Sequence, residues 1–211
     1  MQSNRGLRVE RRDLLQGFAA VAVGVAFPLR AHATGSEART STHIVPPVPV
    51  PDPDARERAV EHLRSLVGVY AYNGDGDEAA ERLASIESAI ERVPFFFRPI
   101  ARKKLRDATE IADRVMIERD NESLAITSPL RFAAPLDGRP VRVETVTGHE
   151  MDLHYEIEDA SVSQILASER KGQINRFFRD GSNLYLYVRI FAEQLPLEVE
   201  FVLTYVRLQS V

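Results

Sequence analysis

The 211-residue sequence predicts a mainly β protein with some α-helix, in which an antiparallel meander closes into a barrel. An N-terminal helix precedes the first strand, and a two-helix insertion, residues 77–112, follows it. Beyond residue 112 the period of the apolar residues changes from 3.6 to 2, which indicates that strands replace helices. Turn sequences then recur at short, even intervals with no helical pattern between them, as is typical of an antiparallel sheet.

Residues 1–33 have the composition of an export signal. An arginine-rich start precedes a short apolar run, residues 14–29, and an A-x-A end at Ala33. The pair Arg11-Arg12 resembles a twin-arginine signal, and a chance pair in a general secretory signal is the alternative. We expect cleavage after Ala33, contact with the export machinery and a periplasmic location. The run falls short of the ~20 strongly apolar residues of a membrane helix, so no stable membrane span is expected after cleavage.

A proline-rich linker, residues 34–53, separates the signal from the domain, residues 54–211. Its sequence IVPPVPVPDP favours an extended polyproline II segment. We interpret the linker as a spacer; a docking peptide for a partner is the alternative.

Composition excludes several kinds of site. The chain contains no cysteine, so disulfides, thiolate metal sites and a lipoprotein anchor are excluded. Without residues 1–33 it keeps 22 basic and 29 acidic side chains, a net charge near −7. Nucleic-acid binders are usually basic, so we expect no nucleic-acid partner.

Helical periodicity defines three segments before the sheet. A first helix runs from Asp54 to about Leu66 and leads into a strand at residues 67–72. The second begins with Asp77 as its N-cap and ends at Pro94. The third starts near Pro99 and continues to about Ile111. The two insertion helices therefore meet at a corner.

Strand patterns fill the rest of the chain. The final strand is clearest, because its apolar residues from Leu197 to Tyr205 alternate with polar ones. Pairing the first strand with the last would close the meander and remove its edges. The remaining strand candidates are residues 115–117, 124–127, 130–133, 140–147, 150–158, 161–169, 172–179 and 183–192.

Three residues carry a family resemblance. Gly68 and Tyr70 lie on the first strand, and Arg207 lies at the end of the last. This pattern resembles that of the lipocalin-like (calycin) barrels, in which a glycine–any–tryptophan motif meets an arginine that closes the barrel base. Tyr70 takes the place of the tryptophan, and its ring can receive a guanidinium by cation–π contact. The resemblance implies a cup that binds a small apolar or amphipathic molecule. The helical pair is an insertion relative to that family.

The corner sequence PFFFRPIARKKL, residues 94–105, supplies the first candidate ligand site. We expect its phenylalanines to turn toward the sheet and to act as a lid at the barrel mouth. The stripe of arginines at i, i+4 and i+8 is a candidate partner for an anion, and ion pairing with surface acids is the alternative. The candidate residues are Phe95, Phe96, Phe97, Arg98, Arg102 and Arg106.

A second candidate set lies on the strand at residues 183–192. Tyr185, Tyr187 and Arg189 form its second face, because its first face is already fully apolar. We expect the helical pair to cover this second face, and we include the three residues in the candidate ligand site. The nearby run 169–171 predicts a charged hairpin end with no function.

The closest approach to a metal cluster is His149, Glu150, Asp152 and His154. Asp152 and His154 share a strand face, which a solvated outer surface explains equally well. We predict neither a metal nor a cofactor. Motifs of serine hydrolases and of nucleotide-binding loops do not occur in the sequence.

The sequence favours an exported, soluble, non-enzymatic binding protein for a small apolar or amphipathic ligand, which would include anionic ones. A periplasmic protein-interaction or structural module, with a barrel filled by side chains, is the alternative. A small-barrel enzyme of unknown reaction is a third reading.

Overall fold

A computed structural model describes residues 53–158 and 161–208, with side chains from residue 58 onward. The predicted signal and almost all of the linker therefore lie outside the described residues. The helices are α1 (Pro53–Leu66), α2 (Gly76–Glu91) and α3 (Arg98–Ala108), with a 3-10 turn at Phe95–Phe97 between the last two. None of the helices described is both long enough and apolar enough to cross a bilayer.

Ten antiparallel strands form one sheet. They are β1 (Gly68–Tyr72), β2 (Arg114–Arg119), β3 (Ser123–Thr127), β4 (Arg131–Pro135), β5 (Val141–Glu144), β6 (Glu150–Glu158), β7 (Ser161–Ala167), β8 (Lys171–Asp180), β9 (Asn183–Ala192) and β10 (Val199–Arg207). Each strand pairs with its neighbours in sequence, except that β4 and β5 do not pair with each other.

One further pairing closes the barrel. Strand β1 pairs with β10, so the sheet order is β4-β3-β2-β1-β10-β9-β8-β7-β6-β5. The remaining gap is the seam between β4 and β5, where no ladder forms. There the buried Tyr155 hydroxyl of β6 donates to the Phe132 carbonyl of β4 at 2.9 Å. The predicted barrel, with its N-terminal helix and its two-helix insertion, is confirmed.

The two ends of the barrel differ in what covers them. We call the end that carries α2, α3 and the turns 128–130, 145–149 and 193–198 the mouth. We call the opposite end, where β1 begins and β10 ends, the base. Helix α1 reaches the base, where the Arg179 guanidinium donates to the Ser65 carbonyl at 2.7 Å. Leu63 and Leu66 of α1 are buried in the same core as the inner strand residues.

Closure at the base depends on Gly68, Tyr70 and Arg207. Tyr70 is fully buried, and its hydroxyl donates to the Leu66 carbonyl at 2.8 Å. The Arg207 guanidinium carbon lies 6.0 Å from the centre of the Tyr70 ring, and one of its nitrogens donates to the Val67 carbonyl at 2.6 Å. A Cβ atom at Gly68 would lie 3.0 Å from Arg207 Nε, so a side chain there would crowd the guanidinium.

Two helix boundaries differ from prediction. Helix α2 takes its N-cap from Asp75 instead of Asp77, because the Asp75 carboxylate accepts the Glu78 amide at 3.2 Å. Helix α3 ends at Ala108 instead of Ile111. Thr109 is the C-cap, with φ −116° and ψ 18°, outside the helical range, and its hydroxyl donates to the Leu105 carbonyl at 2.7 Å.

Gly68→Ala should lower the free energy of unfolding by about 1–3 kcal/mol, because the residue has a φ of 154° as well as the close contact with Arg207. Chemical denaturation measures the loss. Gly76→Ala is the matched control, because a Cβ there meets nothing within 4 Å. Equal stability of the two variants would contradict this account of the base.

Candidate ligand site at the barrel mouth

Helices α2 and α3 are anchored to the mouth by buried polar contacts. Strand β1 is short, so part of the β10 edge is left for α2 to bond. The buried Glu78 carboxylate accepts the Thr204 amide at 2.9 Å and the Thr204 hydroxyl at 2.6 Å. Further along, the Ser85 hydroxyl accepts the Glu200 amide at 3.0 Å. Side chains of α2 thus continue the ladder where β1 ends.

A second anchor joins the two helices. One Arg82 nitrogen of α2 donates to the carbonyl of Thr109 at 2.8 Å and to its hydroxyl at 3.0 Å. Thr109 follows the last residue of α3 and is itself buried. The position of α3 over the mouth is therefore fixed by contacts at its C-terminal end.

Two cavities adjoin beneath α3. The outer one has a volume of about 150 Å³ and the deeper one about 80 Å³. They share Ala108, Thr145, Val146 and Gln173, so they meet at the rim between α3 and the turn at residues 145–149. The outer cavity is lined by Lys104, Leu105, Ala108, Thr145, Val146, Thr147, His149, Met151, Lys171, Gly172, Gln173, Ile190 and Phe191.

The outer cavity combines an apolar wall with two cations. Lys104 comes from α3 and Lys171 from the start of β8, and neither Asp nor Glu contributes to the lining. In the part of the chain that the structure describes, no ion pair involves either ammonium group. Burial, and then the charge of Lys104, lower the pKa of Lys171. Two neighbouring cations without a counter-ion make this rim suited to an anion.

The deeper cavity borders a chain of side-chain amides inside the barrel. Gln173 donates to Asn175 at 2.9 Å, and Asn175 donates to Gln164 at 2.9 Å. Gln164 in turn donates to the Tyr155 hydroxyl at 3.1 Å, which completes the link to the seam at Phe132. Burial raises the pKa of Tyr155 to about 12, so it stays a neutral donor at physiological pH. Gln173 and Asn175 of this chain of amides line the deeper cavity.

The predicted arginine stripe is used within the helical pair. Arg102 and Arg106 both contact Glu87 of α2, at 2.7 and 3.0 Å. Arg98 donates to the backbone carbonyls of Val93 and Glu91, which caps the C-terminal end of α2. None of the three arginines lines either cavity. The geometry fits the alternative of ion pairing with acids, and anion binding by the stripe remains a prediction.

The expectation that the corner phenylalanines turn toward the sheet is wrong. Phe95, Phe96 and Phe97 are 74%, 85% and 62% exposed. The helices bury other residues instead, because Ile86, Ala89 and Ile90 of α2 and Leu105 of α3 belong to the core. The corner therefore projects away from the barrel and contributes to neither cavity lining.

The helical pair also fails to cover the outer face of β9, contrary to expectation. The pair packs over the mouth, and Tyr185, Tyr187 and Arg189 remain half-exposed outside the barrel. Tyr185 stacks on Phe178 with ring centres 5.0 Å apart. Arg189 forms a bidentate pair with Glu198, at 2.6 and 2.8 Å. Their predicted part in ligand binding is untested, and none of them lines the two cavities.

The histidines of the candidate metal cluster separate in the structure. His149 lines the outer cavity, whereas His154 lies 3.6 Å from Glu156 further along β6. Within residues 53–158 and 161–208, no three acidic or histidine side chains come close enough to hold a metal ion.

Sequence reasoning missed both lysines of the outer cavity. Lys104 stands beside the arginine stripe in ARKKL, but it points to a different side of α3. Lys171 lies 67 positions further on, in the run 169–171 that predicts a charged hairpin end. Lys104 of α3 and Lys171 of β8 come together only when the barrel has closed, so the spacing of residues along the chain does not indicate that they share a cavity.

The structure by itself defines the fold: a nearly closed, ten-stranded antiparallel β-barrel with three helices in its described part. No family model and no curated protein sequence matches the chain.

Several solved structures follow a similar backbone course. A structure titled REP1-NXSQ fatty acid transporter is 11% identical, with a TM-score of 0.46, and the match covers 70% of this chain and 99% of that one. Fatty-acid-binding protein 1 of Echinococcus granulosus is 13% identical, with a TM-score of 0.41 over 69% and 99% of the two chains. The zebrafish ileal bile acid-binding protein complexed with cholic acid is 12% identical, with a TM-score of 0.42, and the match covers 68% of this chain and 99% of that one.

Lys171→Met should raise the free energy of unfolding at neutral pH by about 0.5 kcal/mol, because it removes a half-buried cation next to Lys104. Because the pKa of Lys171 is lowered in the folded state, the unfolded chain binds more protons than the folded one at pH values just below the ordinary lysine pKa of ~10.4. The free energy of unfolding of the wild type therefore increases as pH rises through that window, and the stability advantage of Lys171→Met over the wild type becomes smaller. Urea unfolding at several pH values measures both effects.

The matched control is Lys103→Met. Lys103 is exposed and pairs with Asp107 at 2.6 Å, outside the cavity. This change should leave stability unchanged or lower it slightly. A Lys171→Met protein no more stable than the Lys103→Met protein would count against a desolvated cation at the rim.

Proposed function

We propose that the protein binds a small amphipathic anion at the mouth of the barrel, with the anionic group between Lys104 and Lys171. The apolar part of the ligand lies against Leu105, Met151 and Ile190 in the outer cavity. On this proposal the protein binds its ligand without chemical conversion.

The observation that carries the proposal is the pair of lysines on the outer cavity, whose own lining contains no carboxylate, whereas Asp107 and Glu110 line the deeper cavity. Two like charges held near each other and partly desolvated cost stability, and an anion between them offsets that cost. Lys104 and Lys171 are 67 residues apart in the sequence, so their proximity in the structure is not a consequence of adjacency along the chain.

Cavity size restricts the ligand class. Pockets for drug-sized ligands usually measure ~300 Å³ or more. The two adjoining cavities, of about 150 and 80 Å³, fall below that together. A short acyl or aryl carboxylate therefore fits better than a long-chain fatty acid.

A second candidate function is a protein-interaction module with a filled barrel. It is favoured by the amide chain from Gln173 to Tyr155, which occupies interior space that a larger ligand would need. This function predicts no saturable binding of small amphipathic anions at the mouth.

We also propose that the protein acts in the periplasm after cleavage behind Ala33. The support is the sequence of residues 1–33, with its Arg11-Arg12 pair, apolar run and A-x-A end. Mass spectrometry of the protein recovered from the periplasm of an expressing bacterium tests the cleavage position.

Isothermal titration with octanoate tests the binding proposal directly. We expect saturable binding of one octanoate per chain, and about a tenfold loss of affinity in Lys171→Met, because a charge-assisted contact is lost. The neutral isostere 1-octanol should bind both proteins alike. Octanoate affinity should also fall as pH rises through the lowered pKa of Lys171, because the ligand stays charged while the lysine loses its proton.

Lys103→Met again provides the control, because its ammonium group neighbours Lys104 in sequence but lies outside the cavity lining. Its affinity for octanoate should equal that of the wild type. An absence of saturable octanoate binding, or equal losses in the two variants, would overturn the proposal and favour the interaction module.

A further inference from the structure

The corner between α2 and α3 exposes a compact apolar surface. Phe95, Phe96 and Phe97 are joined by Ile100 of α3, which is 58% exposed. Large apolar side chains exposed together usually mark a surface that binds something. We call these four residues the aromatic corner.

The corner is preformed by contacts in its immediate surroundings. Val93, just before it, is buried in the domain. The Phe97 amide donates to the Pro94 carbonyl at 2.9 Å, and the Arg98 guanidinium bonds the Val93 carbonyl at 2.9 Å. The rings of Phe95 and Phe96 pack edge to face with centres 5.6 Å apart. Presenting the rings outward therefore requires little further ordering.

Positive charge surrounds the aromatic corner. Residues 92–106 contain six cationic side chains and no acidic one, although the chain as a whole is acidic. Glu87 neutralises part of this charge through Arg102 and Arg106. Among the described residues, no carboxylate pairs with Arg92, Arg98 or Lys104.

We propose that the aromatic corner docks on an anionic lipid surface, with the phenylalanine rings at the boundary between headgroups and acyl chains. Aromatic side chains flanked by cations are the combination that binds such a surface, because apolar burial and attraction to anionic headgroups add together. The remaining, acidic surface of the protein is repelled, which favours one orientation. This proposal does not depend on octanoate binding.

The chain contains no tryptophan, so a single introduced tryptophan reports its own surroundings. Phe96→Trp in the full chain is titrated with phosphatidylglycerol vesicles whose acyl chains carry bromine, a contact quencher of indole fluorescence. We expect a blue shift and saturable quenching. Neutral phosphatidylcholine vesicles with the same brominated chains should quench it much more weakly.

The matched control is Leu208→Trp. Leu208 is 39% exposed and follows β10 at the base, the end of the barrel opposite α2 and α3. Its tryptophan should remain unquenched. Because both proteins carry the same N-terminal region, attachment through that region would not by itself favour position 96.

A further variant tests the neighbouring rings. The double substitution Phe95→Ser and Phe97→Ser in the Phe96→Trp chain should raise the lipid concentration for half-maximal quenching at least about tenfold. Two rings that the proposal buries in the lipid are then missing. Both positions are exposed, so the thermal unfolding of this variant should match its parent.

Equal quenching at positions 96 and 208 would overturn the proposal, as would quenching that is insensitive to the two serine substitutions. A blue shift of the position-96 tryptophan without lipid would also overturn it. Sedimentation that depends on protein concentration would then show that a second copy of the protein covers the aromatic corner. Sedimentation that does not depend on concentration would show that another segment of the same chain covers it.

Discussion

The pairing of the first strand with the last, secured by Arg207 over Tyr70, is the constraint on which the rest of the structure depends. It joins residues near position 70 to residues near position 207 and turns an open meander into a barrel with an inside. Gly68 makes the contact possible, because any side chain there would compete with the guanidinium for the same space. Once the base is closed, the helices inserted after β1 have to return across the opposite end.

The short β1 determines how the helices are held at that end. Its pairing stops at Tyr72, so Glu78 and Ser85 of α2 bond the β10 amides that a longer strand would have paired. A buried polar group must be satisfied, and this requirement fixes the helical pair in position over the mouth. Helix α3 then places Lys104 near Lys171 at the start of β8. The proposed anion site is therefore built from two elements that are far apart in the sequence.

The cations of the helical pair divide into structural and unpaired groups. Arg102 and Arg106 stabilise the pair through Glu87, whereas Arg92 and Lys104 keep their charges free of carboxylates in the described structure. The same helical pair thus presents a cationic cavity rim and an exposed aromatic corner. The proposed ligand site and the proposed lipid-docking surface lie at one end of the molecule and have Lys104 in common.

The sequence by itself determined the meander, the ten strands, the helical insertion and the pairing of first and last strands, because alternation and turn residues act locally. It also indicated Gly68, Tyr70 and Arg207 through a family resemblance. Only the tertiary structure decided which side chains face the mouth. The phenylalanines point outward because aliphatic residues such as Ile86 and Ile90 already fill the core beneath the helices. The meeting of Lys104 with Lys171 depends on how the barrel closes, and a local pattern holds no information about contacts made across a closed sheet.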